Sequence, residues 1–251
     1  MEKQKFKIHK AKDGFDKVVQ THDTLFPLPM KMLLISKSQV GCGKSNIILN
    51  LLVKPEGYRD YFKPENIYMF NPSQIDKKMS MMIEQLEIPK FNIFDEFDDG
   101  LLNELLDNIT EQTLEEVENK EPISQKLIIL DDCSFGNKLK TKVKNSAVSR
   151  LFSNGRHLGC SVLLTAQQHT SLPTSARENC TVVICGNCSN RQLDSLADDI
   201  NMLQNKKQFV KMFRDTTKER HSFMVADFCR KTNEMYLNSN FDTIDATKYL
   251  D

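Results

Sequence analysis

The chain has 251 residues, 39% hydrophobic and 27% charged, the balance of a globular protein with room for one large α/β domain. Its 34 basic and 34 acidic residues cancel, so any grip on nucleic acid must come from local positive charge or from several copies acting together. Seven cysteines, an odd number with Cys160, Cys180 and Cys185 inside apolar runs, argue against a disulfide framework and for a reducing compartment. No run of about 18 apolar residues is present to span a membrane, and the charged start predicts no secretory signal.

In chain order, residues 1–29 are polar and basic and end in Pro27-Leu-Pro29, which predicts a loosely attached arm. A short apolar run at 32–36 reads as a strand, and 46–53 as a buried helix stopped by Lys54-Pro55. Between them lies Ser38-Gln-Val-Gly-Cys-Gly-Lys44-Ser45. It matches the phosphate-binding pattern G-x-x-x-x-G-K-[ST] except that Ser38 replaces the first glycine. Gly41 and Gly43 let backbone N–H groups approach phosphate oxygens, and the helix that follows aims its positive dipole end at the same point. Ser38, Gly41, Cys42, Gly43, Lys44, Ser45 and Asn46 are therefore the candidate nucleotide ligands. Lys44 would bridge the β- and γ-phosphates of ATP, and Ser45 would ligate Mg²⁺.

A second strand is expected at 67–70 and an acidic helix at 98–120, where Leu101, Leu102, Leu105, Leu106 and Ile109 keep helical spacing. The apolar run 126–130 then meets Asp131-Asp132. Carboxylates at the carboxyl end of a core strand overhang the crevice where open α/β sheets bind ligands. Asp131 is the candidate Mg²⁺ holder, and Asp132 the group that orients or polarises the attacking water; for both, capping the next turn is the structural alternative. Next come Lys138, Lys140, Lys142 and Lys144, at every second position. Their alternation would put four cations on one side of an extended segment, suited to DNA phosphates. A solvated loop is the alternative.

A helix at 147–157, strands at 161–165 and 181–184, a helix at 190–203 and a late edge strand at 222–226 complete the pattern. Short apolar strands alternating with helices predict a mostly parallel sheet flanked by helices on both faces. That places residues 30–228 in one α/β P-loop NTPase domain of the RecA-like kind, with a polar tail at 229–251. Cys185-Gly-Asn-Cys188 is the one C-x-x-C. A zinc site would need a second ligand pair, and His157, His169 and His221 lack the spacing.

The stretch from 154 to 184 carries a more specific signal: Asn-Gly-Arg156-His-Leu-Gly159, an apolar strand ending Thr165-Ala-Gln167-Gln168, then Leu172-Pro173 and Ala176-Arg177-Glu-Asn179. Over about residues 30 to 190 the chain resembles the FtsK/HerA superfamily of DNA-translocating ATPases. Within it the chain looks most like the poxvirus-type genome-packaging ATPases of large DNA viruses, virophages and polinton-like elements. The resemblance implies a γ-phosphate sensor at Gln167 or Gln168 and an arginine, Arg156 or Arg177, that reaches the neighbouring subunit's ATP. It further implies a homo-oligomeric ring that moves double-stranded DNA into a capsid through a vertex or portal component, at the host cell's virus assembly site. A regulatory nucleotide-binding protein and a helicase- or recombinase-like ATPase are the alternatives.

Overall fold

A computed structural model of the chain describes residues 18–37, 43–71, 76–133 and 146–249. Seven helices and eight strands alternate through them: β1 (Lys31–Ile35), α1 (Lys44–Val53), β2 (Ile67–Phe70), α2 (Lys77–Gln85), β3 (Ile93–Phe94), α3 (Asp99–Glu118), β4 (Lys126–Leu130), α4 (Ala147–Asn154), β5 (Cys160–Ala166), α5 (Thr174–Asn179), β6 (Val182–Gly186), α6 (Asn190–Ile200), α7 (Lys206–Thr216), β7 (Phe223–Asp227) and β8 (Tyr236–Leu237). The strands form one sheet in the order β3-β2-β4-β5-β1-β6-β7-β8. The first six run parallel, and β7 and β8 close the edge antiparallel.

The period-two geometry of the strands divides the core. Met32 and Leu34 of β1, with Leu127 and Ile129 of β4, pack against α1 and α2. Their neighbours Leu33, Ile35, Ile128 and Leu130 face the layer built from α3 to α7. Being buried on both faces is why these strands read as unbroken apolar runs. Each such side chain contributes roughly 1.5–3 kcal/mol on leaving water.

Both ends of the described chain are tied in more closely than their polarity suggested. Val18, Phe26, Leu28 and Met30 are buried, and the Tyr58 hydroxyl accepts from the Phe26 N–H and donates to its carbonyl, each at 2.9 Å. Past residue 228, Met235, Tyr236 and Leu237 are buried, and the last two form β8. The Tyr236 hydroxyl donates to Ile200 O at 2.7 Å and accepts from Met202 N at 2.8 Å. In both segments a few apolar anchors lie scattered among polar residues, too sparse to show a period. Residues 1–17 of the expected arm lie outside the described residues. Sequence reasoning also left α2 and α7 unassigned, although Phe209, Met212 and Phe213 of α7 are buried at helical spacing.

Candidate active site

Strands β1, β5 and β4 lie side by side, with β5 hydrogen-bonded between the other two, and their carboxyl ends open on one crevice. β1 leads toward α1 through residues 38–42. Ser38, Gly41 and Cys42 therefore lie outside the described residues, as do the four lysines at 138, 140, 142 and 144. Gly43 precedes α1 with φ +76°, a left-handed conformation that favours glycine, and no side chain caps the helix there. The first-turn N–H groups and the dipole of α1 remain available to an anion.

Lys44 and Ser45, the first two residues of α1, meet carboxylates from two other elements. Lys44 Nζ lies 3.0 Å from Asp132 Oδ1, both side chains largely buried. Ser45 donates to Asp76 Oδ2 at 2.5 Å. Asp76 is the N-cap of α2 and accepts with its other oxygen from the Lys78 N–H at 2.9 Å. Sequence reasoning missed Asp76; an Asp ahead of Lys-Lys-Met-Ser-Met-Met was a cap signal, but nothing in the sequence points it at Ser45.

Behind this pair, Thr165 near the end of β5 organises the acidic strand end. Its hydroxyl donates to Asp131 Oδ1 at 2.7 Å and accepts from the Asp132 N–H at 2.8 Å. Asp132 takes φ +49°, a left-handed turn that aspartate tolerates better than most residues and that points it away from Asp131 toward Lys44. Burial raises the Asp131 carboxyl above its ordinary range; the Thr165 hydrogen bond counters this, while nearby Asp132 adds to it. Just past the end of β5, Gln167 Nε2 lies 3.5 Å from Asp132 Oδ2, the outer limit of a hydrogen bond. Gln168 is exposed.

The two arginines lie apart from this crevice. Arg156 is exposed on a short 3₁₀ turn before β5, so the length of that strand, roughly 20 Å, separates it from Gln167. Its side chain makes no hydrogen bond or ion pair among the described residues. Gly159, three residues on, has φ +67°, and a Cβ there would sit 2.6 Å from Ser124 O. That contact gives the Arg-x-x-Gly stretch a physical reason: the turn into β5 must pass close to the chain entering β4. Arg177, on α5, pairs with Asp199 of α6, which also takes His169 Nε2 at 3.0 Å.

A cavity of about 450 Å³ opens alongside α1, lined by Gly43, Asn46, Ile47, Asn50, Phe223 and Phe241 among others. It begins at the phosphate end of the helix and runs under the aromatic rings of the last segment. Its size and apolar walls suit a purine nucleoside. The hydroxyl and carboxylate oxygens of Ser45, Asp76, Asp131 and Asp132 suit a hard cation such as Mg²⁺, which takes few protein ligands and fills its shell with water and substrate phosphates. Among the described residues no cluster of three His, Cys, Asp or Glu side chains could hold a metal by itself.

A sheet with β5 inserted between β1 and β4, a lysine and serine opening α1, and paired aspartates directly after β4 define a P-loop ATPase. More particularly, the chain belongs to the poxvirus A32 protein family, whose model matches residues 18–248. Comparison with curated proteins by sequence gave no match. Among solved structures, the chain is similar in fold to the DNA-packaging ATPase B204 from Sulfolobus turreted icosahedral virus, at TM-score 0.58 and 14% identity over 84% of this chain and 96% of that one. The genome packaging NTPase B204 from Sulfolobus turreted icosahedral virus 2 in complex with AMPPCP gives 0.55 and 14%, over 84% and 97%. The pCW3 conjugation coupling protein TcpA with ATPγS gives 0.52 and 15%, over 89% and 65%. No described helix is long and apolar enough to cross a membrane.

Proposed function

We propose that this protein is an ATP-driven motor that translocates double-stranded DNA into a viral capsid as a homo-oligomeric ring. The observation that carries the reading is the convergence of Lys44, Asp132 and Gln167 at the crevice, in a chain of the poxvirus A32 family. The similar fold of two viral packaging enzymes supports it. In this reading ATP lies with its base in the cavity along α1 and its phosphates over the N-terminus of that helix. Lys44 exchanges Asp132 for the β- and γ-phosphates. The released Asp132 carboxylate orients the attacking water and takes its proton, and Gln167 senses the γ-phosphate. Ser45 and Asp131 would hold Mg²⁺, which when bound would neutralise charge on the phosphate oxygens.

Arg156 would act across a subunit interface, and the lysines at 138, 140, 142 and 144 would grip the DNA backbone from the ring's channel. A capsid vertex or portal component is the expected docking partner, and the virus assembly site the expected location. Steady-state ATP hydrolysis with and without duplex DNA tests the reading. Turnover should rise with duplex DNA and fall as salt is raised; no rise under any assembly condition would overturn the motor in favour of a regulatory nucleotide binder.

A further inference from the structure

One pair of groups has no part in that chemistry. Cys185 is the fourth residue of β6, and Cys188 immediately precedes Ser189, the N-cap of the eleven-residue α6. The C-x-x-C spacing across this strand-to-helix turn sets the two residues on the wall of one cavity, where Cys185 Sγ donates to Gly186 O at 3.3 Å. Both are free thiols. Cys185 is paired in register with Ile35, the last residue of β1, from which the chain continues through Ser36 and Lys37 toward the phosphate loop. Both residues line a cavity of about 310 Å³ whose other walls include Ser36, Lys37, Gln167 and Gln192. That cavity gives a small oxidant a route to Cys188, while Cys185 lies behind it in the core.

We propose that Cys185 and Cys188 form a peroxide-sensitive dithiol whose closure to a disulfide slows ATP turnover in the adjoining site. The two thiols are unequal in the manner such a pair requires. Interaction with the Cys185 thiol lowers the pKa of the Cys188 thiol, assisted by Lys37 and Arg214 and opposed by burial. Interaction with Cys188, together with burial, pushes the Cys185 thiol well up. Cys188 is thus the nucleophile and Cys185 the resolving thiol. In the first step the Cys188 thiolate attacks one oxygen of hydrogen peroxide. The O–O bond breaks, hydroxide leaves, and Cys188 becomes a sulfenic acid. In the second, Cys185 sulfur attacks Cys188 sulfur, the S–O bond breaks, and water leaves with the Cys185 proton. Two thiols are oxidised by two electrons and one peroxide is reduced. The new bond ties the end of β6 to the start of α6, along the wall shared with Lys37 and Gln167.

The thiol chemistry is independent of the motor reading; its effect on turnover rests on that reading, so the test separates the two. Purified protein is treated with hydrogen peroxide, then unfolded in an alkylating reagent and mapped by mass spectrometry. The expected product is one Cys185–Cys188 disulfide, 2 Da lighter than the dithiol by the loss of two hydrogens, released by dithiothreitol. Cys188→Ser should leave Cys185 fully alkylatable. Cys185→Ala should halt at a Cys188 sulfenic acid that dimedone traps. Recovery of both wild-type thiols as alkylated peptides, or a disulfide from Cys185 to another cysteine, overturns the pair. Hydrolysis is followed in the same samples. Wild type should lose activity several-fold and regain it with dithiothreitol, whereas Cys188→Ser should be active and unresponsive to peroxide. A disulfide that forms without changing turnover overturns its control of the site.

Discussion

Asp131 and Asp132 are neighbours with opposite electrostatic situations, and single substitutions should separate them. Asp131 is buried, and its carboxyl is raised above the ordinary range chiefly by that burial. A raised folded pKa means the native state holds the proton longer than the unfolded chain. Its stabilising effect is complete below the unfolded value, near 3.8, and is lost as pH rises through the folded value. Asp131→Asn keeps an acceptor for Thr165 without the charge. At neutral pH its melting temperature should equal or exceed that of the parent, with the difference shrinking in acid, while Mg²⁺-dependent hydrolysis disappears. A clear drop in melting temperature at neutral pH would mean that the free protein already compensates the charge. Asp132 sits in an ion pair with Lys44. Asp132→Asn should therefore release the lysine and hold or tighten ATP binding, while turnover falls roughly 10²–10⁴-fold through loss of the base. Filter binding set against steady-state hydrolysis measures both, and a parallel loss of binding and turnover would remove Asp132 from the water-activating role.

At the scale of elements, β5 is the member that joins the two carboxylates to the rest of the site, and its two ends make distinct predictions. Thr165 supplies a donor to Asp131 and an acceptor to the Asp132 N–H. Thr165→Val preserves shape but strands both groups, so it should lower stability by about 1–3 kcal/mol and depress turnover more than ATP binding. A variant with unaltered turnover would show that Asp132 is oriented without Thr165. At the other end, Gly159→Ala adds a left-handed alanine at about 1–2 kcal/mol and a Cβ driven against Ser124 O. Denaturant unfolding should show at least that loss. Much of this element was legible beforehand. The central strands announce themselves as short apolar runs because both their faces are buried, and the same runs locate Asp131, Asp132 and Gln167 at carboxyl ends. What stayed hidden is tertiary. Nothing along the chain links Ser45 to Asp76 or Thr165 to Asp131, since those bonds join separate elements. The closing segment, with Phe241 at the cavity along α1, hides in a polar composition because few of its side chains reach the core.

For the whole molecule, the question is whether one chain holds a complete site. Arg156 and the crevice lie at opposite ends of β5, so Arg156 cannot serve its own ATP and, if it serves any, must serve a neighbour's. Arg177 is already held by Asp199, which His169 also engages, and breaking that pair would strand a largely buried carboxylate. Arg156 has no such partner among the described residues and is the better placed for a trans role. In the proposed ring, a head-to-tail contact would bring one subunit's crevice against its neighbour's Arg156. Arg156→Ala should lower DNA-stimulated hydrolysis by roughly 10³-fold or more, the worth of an arginine at a phosphoryl-transfer site, while ATP binding to the isolated chain holds. The decisive experiment mixes two inactive variants. In rings assembled from equal amounts of Arg156→Ala and Asp132→Asn chains, about a quarter of interfaces pair an intact Asp132 with a neighbour's intact Arg156. Hydrolysis should recover toward that fraction of wild type, whereas Arg156→Ala mixed with Arg156→Ala plus Asp132→Asn should recover nothing. Absence of recovery from the first mixture, in assemblies shown by light scattering to contain both chains, would place the missing positive charge elsewhere and return Arg177 to consideration.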